Sequence, residues 1–175
     1  MARIGYADLA DGSTQALVER IVAERGSVLH LYQMLLHSPP VAEGWLAHLT
    51  RIRQQTGLDG AIRELVIMRI AHLNRAPYEA DQHAPIARRA GLAQAQLDAL
   101  RERALPEGVF DARERAVLAY TDAMTLSVQV EDAVFDALRP HFDERGLVEL
   151  TATIATYNMV SRFLEALDVH SADAR

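Results

Sequence analysis

The segment "ELVIMRIAHL", residues 64–73, constrains the fold of this chain more than any other stretch. When it is placed on a helix, its apolar residues cover most of the circumference, and a helix of that kind is buried on most sides. Glu64 stands near the start of this helix. A buried glutamate is costly unless it has a partner, so the position of Glu64 needs an explanation.

The rest of the chain shows the same helical period, interrupted by glycine and proline. Apolar residues recur three and four positions apart, Gly26 and Pro39 mark helix ends, and Asp111 is a candidate helix cap. No segment alternates convincingly as a strand would. We predict an all-α, compact multi-helix fold with about eight or nine helices. A chain of 175 residues fits a single domain, 1–175, with a core at 28–128 and a C-terminal helical extension at 129–175.

The absence of cysteine and the mildly acidic charge exclude several classes of protein. Without cysteine there are no disulfides, no thiolate metal sites and no thiol redox chemistry of the chain's own. The net charge is −6 and no basic stripe is present, so nucleic acid and membrane surfaces are not expected partners. The start does not resemble a signal peptide, and no apolar run is long enough to span a bilayer. We predict a cytoplasmic protein.

The stretch "APYEADQHAP", residues 76–85, places a polar cluster directly after the apolar helix. On a helix, Glu79 and His83 are four residues apart and share one face. If the two helices form an antiparallel hairpin, Glu64 lies ~15 Å and His83 ~9 Å from the turn, so offset helices bring them together. Histidine with a carboxylate partner is suited to moving protons near neutral pH.

The sequence "RELVIMRIAHLNRAPYEADQHAPIARRAGL" resembles the core of the carboxymuconolactone decarboxylase family, which includes alkyl hydroperoxidase D. The family pattern is a glutamate at the start of an apolar helix, followed about a dozen residues later by a short polar helix that ends in histidine. Glu64, Tyr78, Glu79 and His83 match this pattern. The resemblance implies an all-α fold and a homo-oligomer (dimer, trimer or hexamer) with the active site near a subunit contact.

The family has two chemical branches, and the resemblance implies different residues for each. The peroxidase branch carries C-x-x-C on the short helix, and Ala76 and Glu79 hold those positions here. Thiol peroxidase activity is therefore not expected. The decarboxylase branch implies an acid–base lyase that uses no cofactor or metal and acts on a small carboxylated or lactone-like molecule. His83 would be the general acid or base, Glu79 would orient it or share its proton, Glu64 would be a second proton-transfer group, and Tyr78 would donate to developing negative charge.

Simpler interpretations of the same residues stay open at this point. Glu64 could be a first-turn glutamate favoured by the helix dipole, and Glu79 with His83 could be an exposed surface pair. Tyr78 could be a core ring, and His72 a satisfied core histidine. The chain as a whole could also be a hydroperoxidase-like oxidoreductase that uses an external thiol or a bound cofactor, or a non-enzymatic binding or scaffold protein.

Overall fold

The part of the chain that the structure, a computed structural model, describes is residues 1–173, which form nine α-helices and no strand. The prediction of an all-α fold with eight or nine helices is confirmed. In chain order the helices are α1 (Gln15–Arg25), α2 (His30–Leu35), α3 (Pro39–Gln54), α4 (Gly60–Leu73), α5 (Pro77–Arg89), α6 (Gln94–Ala99), α7 (Ala112–Leu126), α8 (Asp132–Asp136) and α9 (Glu144–Leu167).

The start of each helix that carries the site is fixed by local chemistry. The Asp59 carboxylate caps α4 by accepting from the backbone N–H groups of Ala61 and Ile62. Pro77 stands at the first turn of α5, where its missing N–H costs nothing. Asp111 caps α7 as predicted, and it forms a capping box with Glu114.

The described chain groups into two units. One consists of residues 57–163, and the other of residues 1–56 with the described residues from Leu164 onward. In the first unit, α4 packs against α5 and α7; in the second, α3 packs against α1 and α2. The single-domain prediction stays a prediction.

Helix α4 is buried on most of its surface, as the sequence indicates. Seven of its apolar side chains are at most 4% exposed: Ile62, Leu65, Val66, Ile67, Met68, Ile70 and Ala71. Two charged residues are buried with them, Glu64 at 0% and Arg69 at 1% exposure. Because a buried charge needs compensation, each of these two residues must have partners on neighbouring parts of the chain.

Within residues 1–173, none of the helices combines the length and the apolar character that crossing a membrane requires.

Candidate active site

Glu64 and His83 meet in the interior of the 57–163 unit. His83 Nδ1 lies 2.7 Å from Glu64 Oε2, and the two residues are 7% and 0% exposed. The connection between α4 and α5 is short and turns at Arg75, whose backbone is left-handed with φ 56°. The hairpin therefore brings together the two residues whose contact the helix spacing permitted.

Two of the simpler interpretations are wrong. Glu64 does not lie in the first turn of α4, which has no acidic residue, and its side chain is fully buried. Glu79 and His83 are not an exposed surface pair, since they are only 2% and 7% exposed. Both carboxylates and the imidazole are thus buried, and buried titratable groups are uncommon in proteins and concentrate at functional sites.

The Glu64 carboxylate has a second neighbour besides His83, the guanidinium of Arg63. Arg63 Nε lies 3.3 Å from Glu64 Oε1, so each carboxylate oxygen has its own partner. An ionised Glu64 can only accept, and Nδ1 of His83 must then carry the proton in their hydrogen bond. This leaves Nε2 as the ring nitrogen that can exchange a proton with a bound molecule.

Helix α9 adds two residues that sequence reasoning missed. Ser161 is fully buried, and its Oγ forms a short hydrogen bond with Glu79 Oε2. The ring of Tyr157, 2% exposed, stands edge-on to the His83 imidazole with the ring centres 5.2 Å apart. Both residues lie in the stretch "TYNMVS", where apolar and polar residues are mixed. They are four positions apart and so share one face of a helix, and this spacing is the signal by which the sequence could have indicated them.

The hydroxyl of Ser161 also lies 3.0 Å from the backbone carbonyl of Tyr157, which can only accept. A serine has a single hydroxyl proton, which these two acceptors share or compete for. Among the described contacts, Glu79 thus faces a neutral hydroxyl, whereas Glu64 faces a guanidinium and an imidazole.

The remaining candidate residues have mixed surroundings. Tyr78 lies on α5 and is buried at 3% exposure, and its role as a donor stays a prediction. His72 is not a fully satisfied core histidine, because its Nε2 is shielded from solvent and has no hydrogen-bond partner in the described chain. Ala76, at the position of the first family cysteine, is 1% exposed.

Across residues 1–173 no group of three or more His, Asp or Glu side chains is arranged to hold a metal ion.

Fold and site together define an all-α protein with a buried glutamate–histidine pair on a helical hairpin. The chain belongs to the carboxymuconolactone decarboxylase family, whose sequence model matches residues 39–123. The matched range contains Glu64, Glu79 and His83. The α9 residues Tyr157 and Ser161 lie outside it.

Known proteins are similar to this chain in sequence or in fold. The uncharacterised protein YnjA of Escherichia coli K12 is 34% identical over 128 residues, which span 72% of this chain and 66% of YnjA. An uncharacterised peroxidase-related protein of Ralstonia eutropha JMP134, described as an alkylhydroperoxidase AhpD core, has a TM-score of 0.83 at 20% identity, covering 98% of this chain and 93% of its own. A cysteine-to-alanine variant of the debrominase Bmp8, solved with 2,3,4-tribromopyrrole, has a TM-score of 0.80 at 18% identity, covering 97% and 93%. The two solved structures share the fold of this chain.

Proposed function

We propose that this protein is an acid–base enzyme of the lyase type that acts on a small carboxylated or lactone-like molecule. The observation that carries the proposal is the 2.7 Å hydrogen bond between Nδ1 of His83 and Glu64, buried in a family member that has no cysteine. Burial and a fixed carboxylate partner prepare an imidazole for proton transfer. The cytoplasmic location and the homo-oligomer stay predictions.

The proposed chemistry is the loss of CO₂ and its replacement by a proton. When a carboxylate leaves as CO₂, the bonding electron pair remains on carbon, and an adjacent lactone carbonyl can spread that charge onto its oxygen. His83 delivers a proton to the carbon through Nε2, and Glu64 stabilises the charged form of the imidazole through Nδ1. The Tyr78 hydroxyl donates a hydrogen bond to the developing negative oxygen.

Glu79 has a separate part in this scheme. Two carboxyl groups in contrasting surroundings are the arrangement by which one site keeps an acid and a base available at the same pH. Glu64 faces His83 and Arg63, while Glu79 faces the Ser161 hydroxyl. We assign Glu64 as the carboxylate that supports His83, and Glu79 as a protonated group that shares its proton with the site.

The test is turnover of a panel of small lactone acids, followed by CO₂ release and by deuterium uptake from solvent at carbon. His83→Ala is expected to lower the rate by about 10²–10⁴-fold, the usual contribution of a general acid or base, with helix content by circular dichroism unchanged. The matched control is His48→Ala, because His48 is an exposed histidine on α3. Activity that survives His83→Ala, or an equal loss in the control, contradicts the proposal.

A parallel assay separates the other functions that the family allows. Peroxide consumption that needs an added thiol, with no CO₂ release from any lactone acid, would identify an oxidoreductase and overturn the lyase assignment. Inactivity in both assays, with no small acid bound at the His83 site, would favour a binding or scaffold protein.

A further inference from the structure

A pocket of about 470 Å³ opens beside the C-terminal end of α4, within the 57–163 unit and distinct from the Glu64–His83 contact. Four arginines line it together with His72: Arg69, Arg75, Arg101 and Arg103. We propose that this pocket is a binding site for a small organic acid, held through its carboxylate groups. The proposal does not depend on the lyase function.

The first argument is charge. The chain carries a net charge of −6, yet the lining of this pocket combines four guanidinium groups with a single carboxylate, that of Glu102. Arg69 is neutralised by Asp122. Arg75, Arg101 and Arg103 are exposed, and none of them forms an ion pair within residues 1–173. Three unneutralised guanidinium groups around one cavity attract an anion, and their planar forks match carboxylate oxygens.

The second argument is rigidity. Arg69 donates hydrogen bonds to the carbonyls of Leu100, Glu102 and Arg103, at 3.0, 2.7 and 3.4 Å. These bonds hold the segment that carries Arg101 and Arg103 against α4. Arg75 is fixed at the left-handed turn after α4, with φ 56°. A binding site whose backbone is already held in place loses less conformational freedom when a ligand binds.

The third argument is the electrostatic environment of His72, whose side chain forms part of the pocket wall. Burial lowers the pKa of His72, and the positive charges of Arg101 and Arg69 lower it further. The imidazole therefore experiences the positive potential of the pocket, and a bound anion would relieve it.

The lining also indicates which kind of anion fits. Leu73, Leu100 and Leu126 form an apolar part of the wall, and Leu126 is 66% exposed despite its size. A cavity of this volume lies within the usual range for small-molecule sites, about 300–1,000 Å³. An organic acid places its carboxylates on the arginines and its carbon chain on the leucines, whereas a bare inorganic ion uses only the charges.

The experiment compares succinate, the uncharged succinamide and inorganic phosphate by isothermal titration calorimetry on the full chain. Succinate is expected to bind, succinamide to bind at least about tenfold more weakly, and phosphate to bind more weakly than succinate. The ring signals of His72 in NMR spectra should move during the succinate titration. Equal binding of succinate and succinamide, tighter binding of phosphate, or no succinate binding in the millimolar range overturns the proposal.

Single substitutions test whether succinate binds in this pocket. Arg101→Gln and Arg103→Gln are each expected to weaken succinate binding about tenfold, the size of one lost charge-assisted hydrogen bond. Both side chains are exposed, so neither change removes core packing. The matched control is Arg89→Gln, an exposed arginine of α5 outside the pocket, which should leave affinity within about twofold. An equal loss in the control means that succinate responds to overall charge, and it overturns the assignment to this pocket.

Discussion

Helix α4 buries two charged residues five positions apart, and their surroundings differ in one decisive respect. Arg69 donates to both oxygens of Asp122, at 2.7 and 2.6 Å, and to three backbone carbonyls. These contacts use all five N–H donors of a guanidinium. Glu64 also has partners on both oxygens, but one of them is a histidine, whose second ring nitrogen is not needed for that bond.

This difference distinguishes a buried charged residue that stabilises the fold from one whose partner can take part in proton transfer. A saturated guanidinium has nothing left to offer a ligand, and its effect is to connect α4 with α7 and with the segment after α6. An imidazole fixed at one nitrogen can still exchange a proton at the other. Substitution at Arg69 should therefore change stability without changing proton transfer, whereas substitution at the Glu64–His83 pair should change proton transfer as well.

The largest expected effect on stability is that of Arg69→Met. It leaves Asp122 and three carbonyls without their donor, so we expect a loss of about 3 kcal/mol or more in the free energy of unfolding, measured by urea denaturation. Combining it with Asp122→Ala should cost less than the sum of the two single changes, because both remove the same ion pair. A loss below about 1 kcal/mol would mean that Arg69 is not the structural connection described.

Ser161→Ala should have an intermediate effect. It removes the hydroxyl that faces Glu79, and losing a buried hydrogen bond costs about 1–2 kcal/mol. The matched control is Thr153→Val, also on α9, since the Thr153 hydroxyl bonds only to the backbone carbonyl of Glu149 among its described contacts.

The same pair of variants tests the protonation of Glu79. The infrared band of a protonated carboxyl, assigned to Glu79 by its absence in Glu79→Gln, should shift in Ser161→Ala and not in Thr153→Val. If no such band exists in the unaltered protein, Glu79 is ionised and its part in the proposed chemistry is wrong.

The smallest effect expected is that of His72→Gln on the pH dependence of stability. Burial and the neighbouring Arg101 and Arg69 hold the pKa of His72 below its ordinary value of 6.5, so the unfolded chain binds its proton more readily than the folded one. The contribution of His72 is fully present above 6.5 and is lost as pH falls from there toward its lower folded pKa. Unfolding measured from pH 7 downward should show a shallower decline in His72→Gln, and an identical slope would contradict the cause assigned to the shift.

The features that depend on local sequence patterns could be predicted from the sequence. Helical period, glycine and proline stops and the Asp111 cap predicted an all-α fold, and the Glu64 and His83 spacing made their contact possible. The same logic applied to Arg69, a second charge in the apolar helix, would have identified another buried residue in need of partners.

The long-range partners could not be predicted in the same way. Ser161 meets Glu79 across 82 residues of sequence, and Asp122 meets Arg69 across 53. Helical period shows which face of a helix is buried but not which helix covers it. The contribution of α9 to the site therefore became visible only in three dimensions.

The central claim, that His83 exchanges protons through Nε2 while Glu64 holds Nδ1, is tested most directly by ¹⁵N NMR of the His83 ring across a pH titration. We predict that Nδ1 keeps its proton throughout and that Nε2 is the nitrogen that gains and loses one. The Glu64→Gln variant, which removes the carboxylate charge, should weaken this preference. A proton that stays on Nε2 while Nδ1 titrates would contradict the account.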